Sequence, residues 1–358
     1  MINTFKPWRI VKIDPHPWYF VRVTEDIIKN GYLPPKWDTL SHSPPGRFFF
    51  PWVIWNYFIV IIYIILNIFG NFNVMYAANL APVAMSVFAG IFAYLIGRLF
   101  SNNWAGLITA IFILFSPTFV SVSSGGYADS DAIVVTYFLM CTFSLFLAYK
   151  KQKIWAYIFT IITNAIFIIS WNTGYFPLFM VSSFISLFFL WDIFKKNYGN
   201  AKQKFKFIAI VLIGSILLAM PRINVFRDIF ERVRWFGGEM LVTISVAELM
   251  PIKPTPTCDI SCNLLGIADR IGLYPFLISI IGLTLFFIIK LYKKKEILKE
   301  ELYLLIWFAF MLFLISRGTR FVLLLFVPTM VIAGYLFGRL LEYVLELKER
   351  KEILMREI

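Results

Sequence analysis

Ten stretches of this chain are long, nearly uninterrupted runs of apolar residues: 52–70, 77–97, 104–122, 132–149, 154–171, 174–194, 207–221, 271–289, 302–316 and 321–338. Each has roughly the length a bilayer core demands of a helix, about 17 to 25 residues. Lipid offers the backbone no hydrogen-bond partner, so only helices and closed barrels can span it. A barrel strand alternates apolar and polar residues, and these runs do not. Composition agrees: 59% of residues are hydrophobic and only 15% are charged, against about 25% charged in a soluble domain. The expected fold is an all-α polytopic membrane protein, a helical bundle.

The net charge of +13 raises the question of nucleic acid, but its placement answers otherwise. Lysines cluster in "KKQK" at 150–153, in "KKNYGNAKQKFK" at 195–206, in "KLYKKKEILK" around 290–299, and in the tail from Lys348 to Arg356. These clusters fall in alternate connections, as the positive-inside rule expects of cytoplasmic loops. The charge is thus topological, no nucleic-acid partner is expected, and the C-terminus is expected in the cytoplasm. The opposite connections hold the Asp129/Asp131 turn, "SWNTGYF", "SRGTR" and a long loop, 222–270, with six basic and six acidic residues. Chemistry is therefore expected on the extracytoplasmic face. No cleavable signal peptide, internal repeat or low-complexity linker is visible. Cys258 and Cys262 lie in the outer loop, where an oxidising compartment would permit a small disulfide or leave two free thiols. Cys141 reads as a small core residue.

At "SGGYADSDAIV" a long apolar sequence meets two acids, Asp129 and Asp131, and turns apolar again. Acids at a membrane boundary are usually just solvated. Here a glycine-rich approach lets the backbone turn tightly, and two carboxylates spaced i, i+2 can converge on one hard cation such as Mg²⁺ or Mn²⁺. Asp14, in "DPHPWY", precedes a proline that pins the local geometry. It also precedes a stretch with helical apolar spacing (Phe20, Val23, Ile27, Ile28). Alone, Asp14 would pass for a turn or helix-capping acid. Glu248, in "TISVAELMP", would pass for a loop-surface carboxylate.

Taken together, these segments resemble the catalytic subunit family of oligosaccharyltransferases, membrane enzymes of the C-type glycosyltransferase superfamily. "DPHPWY" resembles the family's first DxD-type element and "GYADSDAI" its second. "TISVAE" stands where the family has a TIxE or SVSE motif, and "RGTRF…VP…AG" resembles its Arg-Phe start to a late transmembrane helix. The resemblance covers about residues 10 to 345, and the four motifs match in order and spacing.

The resemblance implies a glycan donor on a polyprenyl phosphate or diphosphate of dolichyl type, and an acceptor polypeptide carrying an N-x-Ser/Thr asparagine. It implies that Asp14, Asp129 and Asp131 hold a divalent cation, Mn²⁺ or Mg²⁺. Glu248 would engage the acceptor amide and contact the same cation. Arg320 would clamp the lipid phosphate, which pairs with a guanidinium in a forked geometry. Interfacial snorkelling is the plain alternative for Arg320, and Arg317 is close enough to substitute. Tyr175 is a candidate head-group contact or an aromatic-belt residue.

The sequence also departs from the family pattern. If 52–70 spanned the membrane, Asp14 and Asp129 would face opposite sides. This block is therefore expected to lie on or dip into the membrane within a first outer loop, residues 1–74. About nine true spans then remain in a bundle over 75–345, with a basic cytoplasmic tail at 346–358. The family's first helix, one helix pair before the Glu248 loop, and the WWDYG motif with its soluble domain have no counterpart here. Weak sequon discrimination, and room for a separate soluble acceptor-recognition subunit, are the corresponding expectations. Two rival readings are a C-type glycosyltransferase with a non-asparagine acceptor and a non-catalytic subunit that keeps the scaffold. A transporter would place charges at mid-helix or on broken helices.

Overall fold

The computed structural model describes residues 15–40, 46–48, 53–171, 182–219 (except 183, 184, 187 and 191), 260–292, 294, 299–315 and 321–356. They are overwhelmingly helical, as the apolar blocks predict. In order they form α1 (Pro15–Lys29), β1 (Trp37–Asp38), β2 (Arg47–Phe48), α2 (Val53–Phe69), α3 (Val74–Phe100), α4 (Asn103–Leu114), α5 (Pro117–Ser123), α6 (Asp131–Lys151) and α7 (Ile154–Ser170). These are followed by α8 (Tyr198–Leu218), α9 (Ile260–Ile271), α10 (Leu273–Tyr292, with a π-helical stretch at Ile278–Gly282), α11 (Lys299–Ile315) and α12 (Val322–Arg356). Four described helices (α3, α6, α10 and α12) are long and apolar enough to cross a membrane, or five if α4 and α5 count as one broken span. The chain is an integral, multi-pass membrane protein.

One sequence expectation needs adjustment. The block 104–122 is not one rod: α4 and α5 meet at 61°. Pro117 opens α5 because a proline's missing N–H and fixed φ suit the first helical turn. The hydroxyls of Ser116 and Thr118 donate to the carbonyls of Ile271 and Arg270, at 2.9 and 2.6 Å. Those two carbonyls belong to the last turn of α9, which has no intrahelical donors for them. In addition, the residues after 345 continue α12 as helix as far as Arg356.

The chain divides into two compact units, Met1–Val87 with Ser121–Val134, and Phe88–Val120 with Val135–Ile358. In the first, α1 is amphipathic, and its apolar residues Val23 and Ile27 pack on Val60 of α2, with Tyr19, Ile28 and Tyr57 around them. Arg22 forks onto the buried Asp38 with bonds of 3.0 and 2.7 Å, and Asp38 also accepts from the Leu40 amide. The hydrogen bond to Asp38 raises the Arg22 pKa above its ordinary value, against a smaller opposing effect of burial. The clamp ties α1 to the short β1–β2 pairing, a feature the sequence pattern did not announce.

Long-range bonds tie α2 to the turn before α6, and that turn to α3. At its start, Trp55 hydrogen-bonds to Ala128. Beyond its end, Asn79 of α3 accepts from Gly126, two residues before Ala128. α3 rises about 7.5 Å from Val74 to Asn79, and the five residues from Phe69 to Val74 reach about 18 Å at most. Since α3 runs from Val74 past Asn79 toward Phe100, Phe69 lies no more than about 10 Å beyond the level of Asn79 along α3. The turn is also tight, because the Asn67 side chain bonds to the Tyr63 and Phe72 carbonyls and to the Phe72 amide. Both ends of α2 therefore sit toward the Val74 end of α3.

In the second unit the core is built on close helix contact. Gly334 and Gly338 of α12 face α4 so closely that a Cβ on Gly334 would stand 2.1 Å from Thr109 Oγ1, and one on Gly338 2.4 Å from the Ala105 Cα. Small residues four apart let membrane helices approach backbone to backbone, where dispersion replaces the absent hydrophobic drive. Asn102 caps α4 by accepting from Ala105 N at 2.8 Å, and its amide reaches the Gly338 carbonyl and Glu342. Glu301 at the start of α11 is buried, and accepts from Lys290 of α10 (2.6 and 2.7 Å) and from the Tyr335 hydroxyl of α12 (2.7 Å). Cys141 is buried in α6, with its thiol toward the Thr163 carbonyl at 3.4 Å, a packing residue as expected.

Candidate functional site: an acid turn before α6

The segment 124–130 is a turn made by its glycines. Gly126 has φ +94°, a region closed to most side chains, and the Tyr127 amide returns to the Ser124 carbonyl at 3.2 Å. Two anchors hold the turn. The Gly126 amide donates to Asn79 O at 3.3 Å, and Ala128 O accepts from Trp55 Nε1 at 3.3 Å. Ala128 and Trp55 are both buried. The carbonyl next to Asp129 is therefore fixed by an indole that can only donate.

Asp129 and Asp131 flank Ser130, and both are half-buried. Asp129 Oδ1 accepts from the Ser130 amide and, at 3.3 Å, from the Ser130 hydroxyl. The Ser130 carbonyl accepts from Ile133 and Val134, at 3.2 and 3.3 Å, which starts α6. Asp131 is the first residue of α6, where the helix dipole favours a negative charge. Oxygen donors held on a short rigid turn suit a hard divalent cation rather than a soft one. Asp129 and Asp131 supply donors of that hard, oxygen kind. Among the described residues no cluster of three or more His, Cys, Asp or Glu is arranged to hold a metal ion.

Asp14, Tyr175, Glu248, Arg317, Arg320 and Cys258 lie outside the described residues, as does the side chain of Cys262. The elements beside two of them are described. α1 begins at Pro15, the residue after Asp14, and α12 begins at Val322, two residues after Arg320. The structure adds residues that motif reading passed over: Trp55, Asn56 and Asn79. One signal was available for the first two, because "WN" interrupts an otherwise apolar run in "PWVIWNYF". Asn56 is buried, and its amide donates to Phe20 O and Thr24 Oγ1, both at 2.9 Å.

Comparison with known proteins points the same way. Residues 4–349 match the family described as "Oligosaccharyl transferase STT3, N-terminal". The chain is 27% identical over 229 residues to dolichyl-phosphooligosaccharide-protein glycotransferase 1 of Pyrococcus furiosus, a match that covers 59% of this chain and 22% of that one. Its fold is similar to the oligosaccharyltransferase of Archaeoglobus fulgidus in the apo form, with a TM-score of 0.74 and 16% identity over 98% of this chain and 49% of that one. The same archaeal protein, AglB, in complex with an inhibitory peptide and a dolichol-phosphate gives a TM-score of 0.68 at 17% identity, covering 99% and 49%. Its complex with Zn and sulfate gives 0.62 at 16%, covering 95% and 47%. The chain thus spans about half the length of these solved structures, and about a fifth of the curated relative.

Proposed function

Because this chain belongs to the oligosaccharyl transferase STT3 family, we propose that it is a glycosyltransferase of protein N-glycosylation. It moves a glycan from a dolichyl-type polyprenyl phosphate or diphosphate to the asparagine amide of an N-x-Ser/Thr acceptor. The observation that carries this reading is the acid turn. Asp129 and Asp131 stand at the mouth of a membrane helix, on a turn anchored to α2 and α3. A lipid-borne phosphate surfaces from the bilayer at that depth. Solved relatives bound to dolichol-phosphate and to a peptide support the two substrate classes, and one holding Zn supports a metal.

In this reading Asp129, Asp131 and Asp14 would hold Mn²⁺ or Mg²⁺, which when bound would supply positive charge against the phosphate leaving group. Glu248 accepts from the acceptor amide, aims its nitrogen at the sugar carbon and reaches the cation site. An amide nitrogen is a weak nucleophile, so orientation and fixed charge carry most of the rate. Arg320 pairs with the lipid phosphate, and Tyr175 lies against the head group. The acid turn faces the extracytoplasmic side, and the basic tail, 346–358, lies in the cytoplasm. Residues 1–74 form the first outer loop, and 75–345, including the outer loop 222–270, form the bundle.

The test is transfer from crude lipid-linked glycan to a fluorescent N-x-Thr peptide by the purified chain, with and without Mn²⁺. A mass gain on asparagine that requires the cation is expected. Glycan appearing on lipid or on another group, with the peptide unmodified, would favour the non-asparagine acceptor instead.

A further inference from the structure

Trp55 and Asn56 are neighbours on one helix, yet they hold two different elements. Trp55 Nε1 donates to Ala128 O beside Asp129, at 3.3 Å. The Asn56 amide donates to Phe20 O and Thr24 Oγ1 of α1, at 2.9 Å each, and Thr24 itself donates to Phe20 O at 2.7 Å. Consecutive residues on a helix point about 100° apart, so one short stretch of rigid backbone reaches two partners at once. All three polar side chains are buried, at 2% exposure for Trp55, 1% for Asn56 and 0% for Thr24. Water therefore does not replace these bonds when they are lost. Phe58 stacks on the Trp55 ring, with centroids 5.8 Å apart, a packing contact separate from the hydrogen bond to Ala128.

We propose that Trp55 and Asn56 are positioning residues for the cation site, and that α2 acts as a spacer fixing the acid turn relative to α1. Asn56 fixes α2 against α1, and Trp55 ties the acid turn to the α2 so fixed. Ligand distances at a metal site fall within about 0.2 Å of their usual values, so the placement of the turn matters. The inference rests on the reading of Asp129 and Asp131 as cation ligands. It assigns to the apolar helix α2 a purpose beyond packing.

The experiment is Mn²⁺ titration of the purified full chain, following loss of the free aquo-ion signal by electron paramagnetic resonance, alongside the transfer assay. Trp55→Phe keeps an aromatic ring at the site and removes the donor. It should weaken Mn²⁺ binding by about three- to tenfold, the range expected for one buried hydrogen bond, with wild-type transfer restored at saturating Mn²⁺. Asn56→Leu should shift the titration in the same direction. Phe58→Leu, which disturbs the packing and spares the bond, should bind Mn²⁺ as the wild type does. Unchanged affinity in Trp55→Phe, while Asp129→Asn loses the ion, would overturn the positioning role and leave the cation site standing. Equal weakening in Phe58→Leu would overturn it too, by assigning the effect to packing. Wild type and Asp129→Asn binding Mn²⁺ alike would overturn the cation reading and this inference with it.

Discussion

The Gly126 amide donates to the Asn79 carbonyl at 3.3 Å while Gly126 holds φ at +94°. One residue thus supplies both the bend of the acid turn and its anchor on α3. Nothing lies within 4 Å of where a Gly126 Cβ would stand, so substitution there meets backbone strain and no clash. Gly126→Ala should cost about 1–3 kcal/mol and lower transfer. Gly125→Ala, whose Cβ would meet Asn79 O and Val83 at an ordinary 3.7 Å, should be close to neutral. Thermal unfolding of the two variants in detergent checks the contrast.

The contact of α12 with α4 predicts a second asymmetry. Gly338→Ala puts a methyl 2.4–2.5 Å from Ala105, backbone included, and overpacking of this kind costs about 1–3 kcal/mol. Gly266→Ala on α9 meets nothing within 4 Å and should be neutral or slightly stabilising, since alanine outranks glycine in helices. Unfolding midpoints of Gly338→Ala and Gly266→Ala should therefore move apart.

Glu301 predicts a third. Glu301→Ala leaves Lys290 without the carboxylate it bonds in the buried junction of α10, α11 and α12, and breaking such a pair costs about 3–5 kcal/mol. Tyr335→Phe removes one bond to Glu301 and should cost about 0.5–1.5 kcal/mol. Replacing Lys290 and Glu301 together by Met and Leu should be milder than Glu301→Ala alone, because no charge is then left buried. Stability measurements on the three variants give the order.

Much of this fold was legible because lipid removes alternatives. A run such as 132–149 can only be a helix, and α6 covers it. The amphipathic spacing of Phe20, Val23 and Ile27 announced α1, and all three are buried. The break between α4 and α5 was not legible, because it depends on Ser116 and Thr118 meeting a helix end some 150 residues away. The placement of α2 was not legible either. Its apolar content is that of a span, and only long-range bonds through Trp55 and Asn79 show that both its ends lie toward one end of α3. At the site, Asp129 and Asp131 were readable as a motif. Their supports were not, since Trp55 and Asn56 look like interruptions in an apolar run until their partners are seen.

The central claim is that the acid turn serves glycan transfer, and Asp129→Asn tests it most directly. The change removes charge and keeps shape at a half-buried position outside the packed core, so the bundle should fold and unfold as the wild type does. Transfer from lipid-linked glycan to an N-x-Thr peptide should be measured for both proteins across a Mn²⁺ series. The account predicts that cation-dependent transfer is abolished in Asp129→Asn while its unfolding midpoint is unchanged. Wild-type transfer by Asp129→Asn at every Mn²⁺ concentration would contradict it.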